Sequence, residues 1–112
     1  MTITRAQLLL IDQVAKAAVA NDSHAQKEIN ENYGACGFAW VNVHGLRKND
    51  KNPDRKVLEG FGFSFASYDK AFQLWVSDYG QSIYAKEIYA HAFAKELKAL
   101  GIEKAYGGSR LD

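Results

Sequence analysis

The amino-acid sequence predicts an α+β domain in which helices cover one face of an antiparallel sheet. Three observations lead to this prediction: helical periodicity near the start, alternating apolar residues in the middle, and a second helical segment near the end. The predicted order is a helix, a three-stranded antiparallel meander, a second helix and, as a further option, a short fourth strand. With 112 residues, the chain is expected to form a single domain over residues 1–112.

The N-terminal helix is expected over residues 4–20, which are rich in alanine and leucine. Either Thr4 or Thr2 would serve as its N-cap. The apolar residues expected to face the core share one side of this helix: Leu10, Ile11, Val14, Ala17 and Ala18. After a break, Ser23 and Gln26 form a capping-box pattern, which predicts a second helical piece to about residue 32.

The first strand is expected at residues 35–43, where small, aromatic and β-branched residues predominate. Its faces would be Cys36, Phe38 and Trp40 on one side and Ala39, Val41 and Val43 on the other. Cys36 is expected to be a buried structural residue, because free cysteine is among the most buried residue types. A catalytic pair with His44 is not expected, since eight residues of strand would separate the two by about 26 Å.

Two further strands are predicted after a polar loop. Phe61, Phe63 and Phe65 alternate with small residues, which is the pattern of a strand with one aromatic face. Residues 67–70 would form a turn, and residues 72–76 would form the third strand. The three phenylalanine rings would then point at the helices.

The second long helix is expected over residues 82–100, with Gly101 ending it. One stripe of this helix is apolar and would pack in the core: Tyr89 or Ala90, Phe93, Ala94, Leu97 and Leu100. Residues 102–106 would form the optional fourth strand, and the final residues GGSRLD would form a tail.

Composition and charge restrict the function. A net charge of +1 disfavours a dedicated nucleic-acid-binding protein, although it is compatible with a local basic patch. A single cysteine can form neither an intramolecular disulfide nor a cysteine-cluster zinc site, which favours the reducing cytoplasm. His24, His44 and His91 are not spaced as a helical metal pair, and no cofactor motif occurs, so neither a metal nor a cofactor is expected. No apolar run has membrane-spanning length, so no membrane partner is expected.

The start of the second long helix is a candidate anion-binding site. Gly80, Gln81 and Ser82 precede its first turn, where free backbone N–H groups favour a negative ligand such as phosphate. Lys86 follows one turn later and could reach back to that ligand. The alternative is that Ser82 only caps the helix while Lys86 extends into solvent.

A basic segment follows the first strand and is a second candidate site. It carries five positive side chains: Arg47, Lys48, Lys51, Arg55 and Lys56. Such a segment can enter a nucleic-acid groove or contact an acidic partner. It contains no aromatic residue between these charges, unlike single-strand binders, and the alternative is an ordinary solvated loop.

The two tryptophans, Trp40 and Trp75, suggest an interaction surface. Trp75 is offset by one position from the apolar residues of its strand, so it should face away from the core. If Trp40 faces the same way, the pair would form an exposed aromatic patch of the kind found in protein interfaces. The alternative is that residues 102–111, or a second copy of the chain, cover Trp75.

Two resemblances add context. The segments CGFAWV at 36–41, GQS at 80–82, AFA at 92–94 and the ending AYGGSRLD resemble a group of small uncharacterised proteins of tailed bacteriophages, over about residues 34–112. This resemblance implies a bacterial cytoplasm during infection, where small phage proteins often modulate host machinery, and implies no activity.

The second resemblance is topological. A helix, a three-stranded meander and a helix are similar to the double-stranded-RNA-binding domain, whose second helix begins with a glycine-serine turn followed by adjacent lysines. Here Ile83 and Tyr84 stand where those lysines belong, so the main phosphate contact of that family is missing.

The expected function is therefore that of a non-enzymatic protein-binding module, a phage-type accessory protein acting on a host defence or replication factor. A homodimer is expected as well, because an open sheet leaves its edges or outer face to be covered. The alternative function is nucleic-acid binding through the 47–56 loop and the start of the second helix. An enzyme is least expected, since Ser82 and Lys86 would have to converge with Cys36 or Arg110 in one pocket.

Overall fold

The computed structural model describes residues 3–112, so the alternative N-cap Thr2 lies outside the described residues. In chain order the elements are α1 (Arg5–Ala20), α2 (Ser23–Glu31), β1 (Gly37–His44), α3 (Pro53–Phe61), β2 (Ser64–Ala66), β3 (Ala71–Trp75), α4 (Ile83–Ala99) and β4 (Ala105–Leu111). The predicted α+β class with an antiparallel sheet is confirmed. None of the helices within residues 3–112 combines the length and the hydropathy that a membrane span requires.

The sheet has the strand order β2-β3-β1-β4, and each neighbouring pair is antiparallel. The predicted three-stranded meander was therefore wrong, because β3 lies between β1 and β2. It follows that β1 and β2 run parallel and are joined by α3. From β1 onward the order β-α-β-β-α-β is that of the ferredoxin-like split β-α-β arrangement, preceded here by α1 and α2.

The first helix begins as predicted, with Thr4 as N-cap in a capping box with Gln7. The residues that it buries are Leu8, Ile11, Ala15 and Val19. The predicted core stripe was thus wrong except for Ile11, and Leu10 is 67% exposed. The helix is apolar on more than one side, so its own periodicity could not identify the side that meets α4.

The second helical piece is confirmed, but Asp22 and not Ser23 is its N-cap, since the Asp22 side chain accepts a hydrogen bond from the Ala25 amide. The helix ends at Asn32, which adopts the left-handed conformation with φ of 50°. The chain then enters β1 two residues later than predicted, at Gly37.

The predicted strand through Phe61, Phe63 and Phe65 was largely wrong. Asn52 caps a helix with Pro53 in its first turn, so α3 extends to Phe61. Gly62, with φ of 131°, then turns the chain, and only residues 64–66 form a strand. The rings of Phe61 and Phe63 are not on one strand face. Both instead pack on the ring of Phe93 in α4.

The last helix is confirmed at residues 83–99, and it lies across β1 and β4 with α1 packed on its other side. The C-terminal segment differs from the prediction, because β4 spans Ala105–Leu111 and includes most of the supposed tail. Its glycines are explained by packing. A Cβ atom on Gly107 would lie 2.7 Å from Nδ1 of His91, so glycine lets α4 approach the strand.

Candidate functional site

The sheet has one face packed against α4 and one open face. Along β1, Ala39, Val41 and Val43 face the helix and are buried, while the alternate side chains from Phe38 to His44 lie on the open face. Exposed rings mark this second face, where Trp75 is 47% and Tyr106 49% accessible. Packing of the core does not account for these exposed rings.

Two tryptophans stand side by side at the centre of the open face. The register of the sheet sets Trp40 directly opposite Trp75, and their ring centroids are 5.3 Å apart. Phe38 extends the cluster, with its centroid 5.6 Å from that of Trp75 in an edge-to-face arrangement. The expectation that Trp75 faces away from the core is confirmed, and β4 does not cover it because β4 pairs on the far side of β1.

A glycine in β4 provides the space that Trp40 occupies. Gly108 is the cross-strand partner of Trp40. A Cβ atom added to Gly108 would lie only 2.4 Å from Nε1 of the Trp40 indole. The ring therefore rests on the β4 backbone, which fixes its position beside Trp75.

Cationic groups accompany the aromatic rings on the β4 side. The guanidinium carbon of Arg110 lies 5.5 Å from the centroid of Phe38, within the range of a cation–π contact. Lys98, from the last turn of α4, places its Nζ atom 4.3 Å from the centroid of Tyr106. The open face thus combines flat apolar rings with positive charge.

A hydrogen-bonded network of polar side chains borders the tryptophan pair. The Trp75 indole N–H donates to Oε1 of Gln73 at 2.6 Å, which fixes the orientation of the amide. The Gln73 amide nitrogen in turn donates to Oδ1 of Asn42 at 2.9 Å and to Oδ2 of Asp69 at 2.7 Å. Both amide side chains are buried although they belong to the open face. The network therefore holds Trp75 and Asp69 in place.

These groups enclose a cleft of about 440 Å³ on the open face. Its lining combines the aromatic pair with the polar network and one cation: Trp40, Ala66, Tyr68, Asp69, Gln73, Trp75 and Arg110. Tyr68, on the turn before β3, is 99% exposed and stands at the border of the cleft. A flat ligand could stack on the rings while its polar edge meets the network.

The basic segment lies at the end of the sheet where β1 ends. Arg47 and Lys48 border a shallow surface cleft together with Lys70, which precedes β3. Lys104 reaches the same end, because its Nζ atom would lie 4.0 Å from a Cβ on Gly45. Positive charge from three separate segments therefore gathers at this end of the sheet, beside Phe65 of the helix-facing side.

The remaining members of the basic segment have other surroundings. Arg55 lies on α3, where it donates to the Asp50 carbonyl and pairs with Glu59. Lys51 and Lys56 are exposed, the first before α3 and the second on it. Hence the predicted set of five does not form one patch.

The candidate anion site at the start of α4 is occupied by groups of the chain itself. Ser82 is 1% exposed, accepts from the Ala85 amide at 3.1 Å, and donates its hydroxyl to Oε1 of Glu28 at 2.6 Å. Lys86 donates to the Gly37 carbonyl at 3.1 Å. The alternative interpretation of Ser82 as a helix cap therefore matches its contacts, and the Glu28 carboxylate is the anion beside it.

The other two residues of that site are also placed within the fold. Gln81 donates its side-chain N–H to the Gly34 carbonyl at 3.1 Å, and Gly80 adopts a positive φ of 56° in the turn before the helix. This end of α4 lies beside Gly37, at the opposite end of β1 from the basic segment, about 23 Å away along the strand. The two predicted nucleic-acid elements are thus not brought together.

Cys36 is exposed, so the expectation of a buried structural cysteine was wrong. The residue precedes β1 on the side of the sheet that no helix of the described chain covers, and this is why burial does not follow from its residue type. Ser82, in contrast, is buried and bound to Glu28. The groups proposed for an enzyme therefore do not share one accessible site.

Over residues 3–112, no three histidine, cysteine or acidic side chains come together in a group that could hold a metal ion. Comparisons with protein-family models, with curated proteins and with solved structures found no match to the chain. Fold and site together define an α+β domain with an open, aromatic sheet face.

Several members of this surface were not predicted from the sequence. Asp69 and Gln73 were assigned only to a turn and a strand, and Arg110 to a tail and to the least expected function, an enzyme. Phe38 lies two residues before Trp40 and therefore shares its face of the strand. This spacing could have added Phe38 to the aromatic patch. The cross-strand register that joins the rest has no local signal.

Proposed function

We propose that the protein is a non-enzymatic binding module and that its open sheet face binds single-stranded nucleic acid. The observation that carries the proposal is the pair of adjacent indoles, Trp40 and Trp75, on the two central strands of this face. Unpaired bases stack on aromatic side chains whatever their sequence, because every base has a flat π face. Four-stranded sheets that present rings from central strands use the same principle in RNA recognition.

Charge supports this ligand class. A single strand needs cations along its phosphates. Arg110 flanks the rings on one side, while Arg47, Lys48 and Lys70 lie together at the end of the sheet where β1 ends, with Asp50 beside Arg47. The lack of aromatic residues within the basic segment is no longer an objection, because the sheet supplies the rings and the segment supplies the charge. The net charge of +1 suggests few phosphate contacts and a shallow salt dependence.

A host protein is the second candidate ligand. Exposed tryptophan and arginine are also the residues that dominate protein interfaces. The rings here are bordered by hydrogen-bonding and cationic groups and not by a wider apolar surface, which favours bases over an apolar partner. The resemblance to phage proteins suggests a bacterial host cytoplasm as the setting for either ligand.

Self-association is proposed through surfaces other than the open face. Leu10 is 67% and Val14 47% exposed on α1, and β4 is an edge strand of the sheet. Either surface could be covered by a second copy of the chain. Sedimentation of wild type and Leu10→Asp would test a homodimer through α1, which requires the variant to sediment as a smaller species.

The test of nucleic-acid binding uses the two tryptophans as reporters, because both lie on the proposed site. Twelve-nucleotide single strands of DNA and of RNA are titrated at low salt while the indole emission is followed. Quenching is expected, together with a 5- to 150-fold loss of affinity for Trp75→Ala, since stacking contributes about 1–3 kcal/mol per base. Leu9→Ala, which removes from α1 an apolar side chain that is 47% exposed, as Trp75 is, should bind as the wild type does.

Two further measurements decide between the ligand classes. The slope of log affinity against log salt is negative. Arg47→Ala and Lys48→Ala should each make it less steep by about 0.7 for a single strand. If no oligonucleotide binds at low salt, the nucleic-acid proposal is wrong. Affinity capture from nuclease-treated bacterial lysate would then test the protein ligand, which requires a partner retained by wild type and lost with Trp75→Ala.

A further inference from the structure

We propose that Asp69 makes the cleft of the open face selective for guanine. This inference rests on the proposed function, since it names the base that a single strand would place on the tryptophan pair. It follows from three features of the cleft: the flat surface of Trp40 and Trp75, the carboxylate beside them, and the hydrogen bonds that orient that carboxylate.

Asp69 keeps hydrogen-bonding capacity that the fold does not use. Its Oδ2 atom accepts from the amide nitrogens of Gln73, at 2.7 Å, and Asn42, at 3.5 Å. Among residues 3–112, no group donates to its other oxygen, Oδ1. A carboxylate has about four lone-pair sites, so it can still accept from a ligand.

The N–H groups of Gln73, the nearest donors to Asp69, are not available to a ligand. The amide of Gln73 cannot rotate freely, because its oxygen accepts from the Trp75 indole while its nitrogen donates to Asn42 and Asp69. Its N–H groups are thus directed into the network. A ligand edge that meets Asp69 must consequently bring donors of its own.

Guanine is the base that meets this requirement. Its Watson–Crick edge carries two adjacent donors, N1–H and the N2 amino group, which match the two oxygens of a carboxylate as a bidentate pair. Adenine and cytosine each present one donor beside an acceptor, and thymine and uracil present one donor between two carbonyls. The acceptors of these bases would be repelled by the Asp69 carboxylate. All bases could therefore stack on the rings, but the contact of the Watson–Crick edge with Asp69 would favour guanine.

A cationic ligand, such as a lysine or arginine side chain of a protein, is the competing occupant of an aromatic cleft with a carboxylate. Two positive side chains oppose it here. Arg110 lines the same cleft, and Lys70 follows Asp69 in the chain and is itself exposed. The edge of guanine is neutral and its phosphate is negative, so a guanine nucleotide is compatible with these two positive charges. A cationic side chain of a protein would be repelled by them.

The experiment uses four thymine nonamers that differ at the central base, which is guanine, inosine, adenine or cytosine, and an all-thymine nonamer. Wild type should bind the guanine strand 5- to 150-fold more tightly than the adenine strand, because a good bidentate contact discriminates by about 1–3 kcal/mol. Inosine lacks the N2 amino group and should fall between the two. Asp69→Asn should lose the preference while it keeps its affinity for the all-thymine strand.

The matched control is Asp78→Asn, which makes the same chemical change at an exposed aspartate outside the cleft and should keep the preference. If no nonamer binds, the proposed function fails. If all bind equally and Asp69→Asn equals wild type, selectivity for guanine is wrong while the function stands. The inference is also overturned if Asp69→Asn weakens every nonamer alike, or if an arginine peptide competes better than guanosine monophosphate.

Discussion

Replacement of Gly108 by alanine tests whether the position of Trp40 is set by the β4 backbone. The added Cβ would lie 2.4 Å from Nε1, 2.8 Å from Cε2 and 3.2 Å from Cδ1 of the indole. Ordinary contacts between such atoms begin near 3.5 Å, so the ring must retreat by about 1 Å. Since the indole packs beside Trp75, a retreat of this size alters the whole aromatic surface.

The expected cost is moderate. Over-packing of this kind costs about 1–3 kcal/mol when neighbours cannot move freely. Alanine also restricts the unfolded chain, which returns about 0.4–1 kcal/mol where the backbone of the glycine suits it. We therefore expect Gly108→Ala to lower the free energy of unfolding by roughly 0–2.6 kcal/mol, with a central value of about 1.3 kcal/mol.

Urea unfolding measures the stability, and emission of Trp40 in a Trp75→Phe background measures the displacement of the ring. Gly60→Ala is the control, because nothing lies within 4 Å of its added Cβ and its position in α3 should make alanine neutral or stabilising. Equal stability of Gly108→Ala and Gly60→Ala, with unchanged Trp40 emission, would refute the argument that the ring rests on β4. Weaker oligonucleotide binding should accompany the spectral change.

Three further predictions concern other parts of the fold. Ser82→Ala should lose about 2–4 kcal/mol in urea unfolding, because it removes both the helix cap and the hydrogen bond to the buried Glu28, and a loss under 0.5 kcal/mol would contradict this. Burial and the bond to Asp12 raise the pKa of Tyr89, so the folded state keeps this proton when the unfolded chain loses it near pH 10. Stability should therefore fall as pH rises through about 10, and Tyr89→Phe should show a smaller fall. Cys36 should react with a soluble thiol reagent in the folded state as fast as in urea, whereas slow reaction would indicate burial.

Elements with strong local signals were predictable from the sequence. The long helices α1 and α4 begin after Thr4 and Ser82, and both caps could be read from residue type and spacing. The strand β1 followed from its small, aromatic and β-branched residues, and β3 followed from the alternation of its apolar residues with Gln73 and Trp75. In these cases local preference and tertiary packing favour the same structure.

Elsewhere the tertiary contacts decided the structure. Phe61 and Phe63 have the spacing of a strand, but the cap at Asn52 and the turn at Gly62 set a helix there. Gly107 and the neighbouring Gly108 indicate a flexible tail on propensity alone. Both nevertheless lie in a strand, where the packing requires glycine. A Cβ on Gly107 would collide with α4, and a Cβ on Gly108 would collide with Trp40.

The candidate site was predictable only in part. The outward direction of Trp75 followed from its offset within the strand, but its pairing with Trp40 depends on the register between β1 and β3. That register is set by a crossover through α3, which joins segments about thirty residues apart in sequence. No local pattern contains this information, and the roles of Asp69 and Gln73 depend on it entirely.

The burial of polar side chains on an open face indicates that the binding surface is formed before any ligand arrives. Gln73 and Asn42 are almost inaccessible although no helix of the described chain covers them, because the indole of Trp75 and the carboxylate of Asp69 bond to them. Immobilising a side chain on binding costs about 0.5–1.5 kcal/mol, and here the cost for these groups is met during folding. A ligand that matches the fixed rings and acceptors therefore gains affinity without ordering the surface, whereas a ligand of different shape cannot be accommodated by rotating them. Selectivity in this protein should accordingly depend on the geometry of the free face and not on rearrangement after binding.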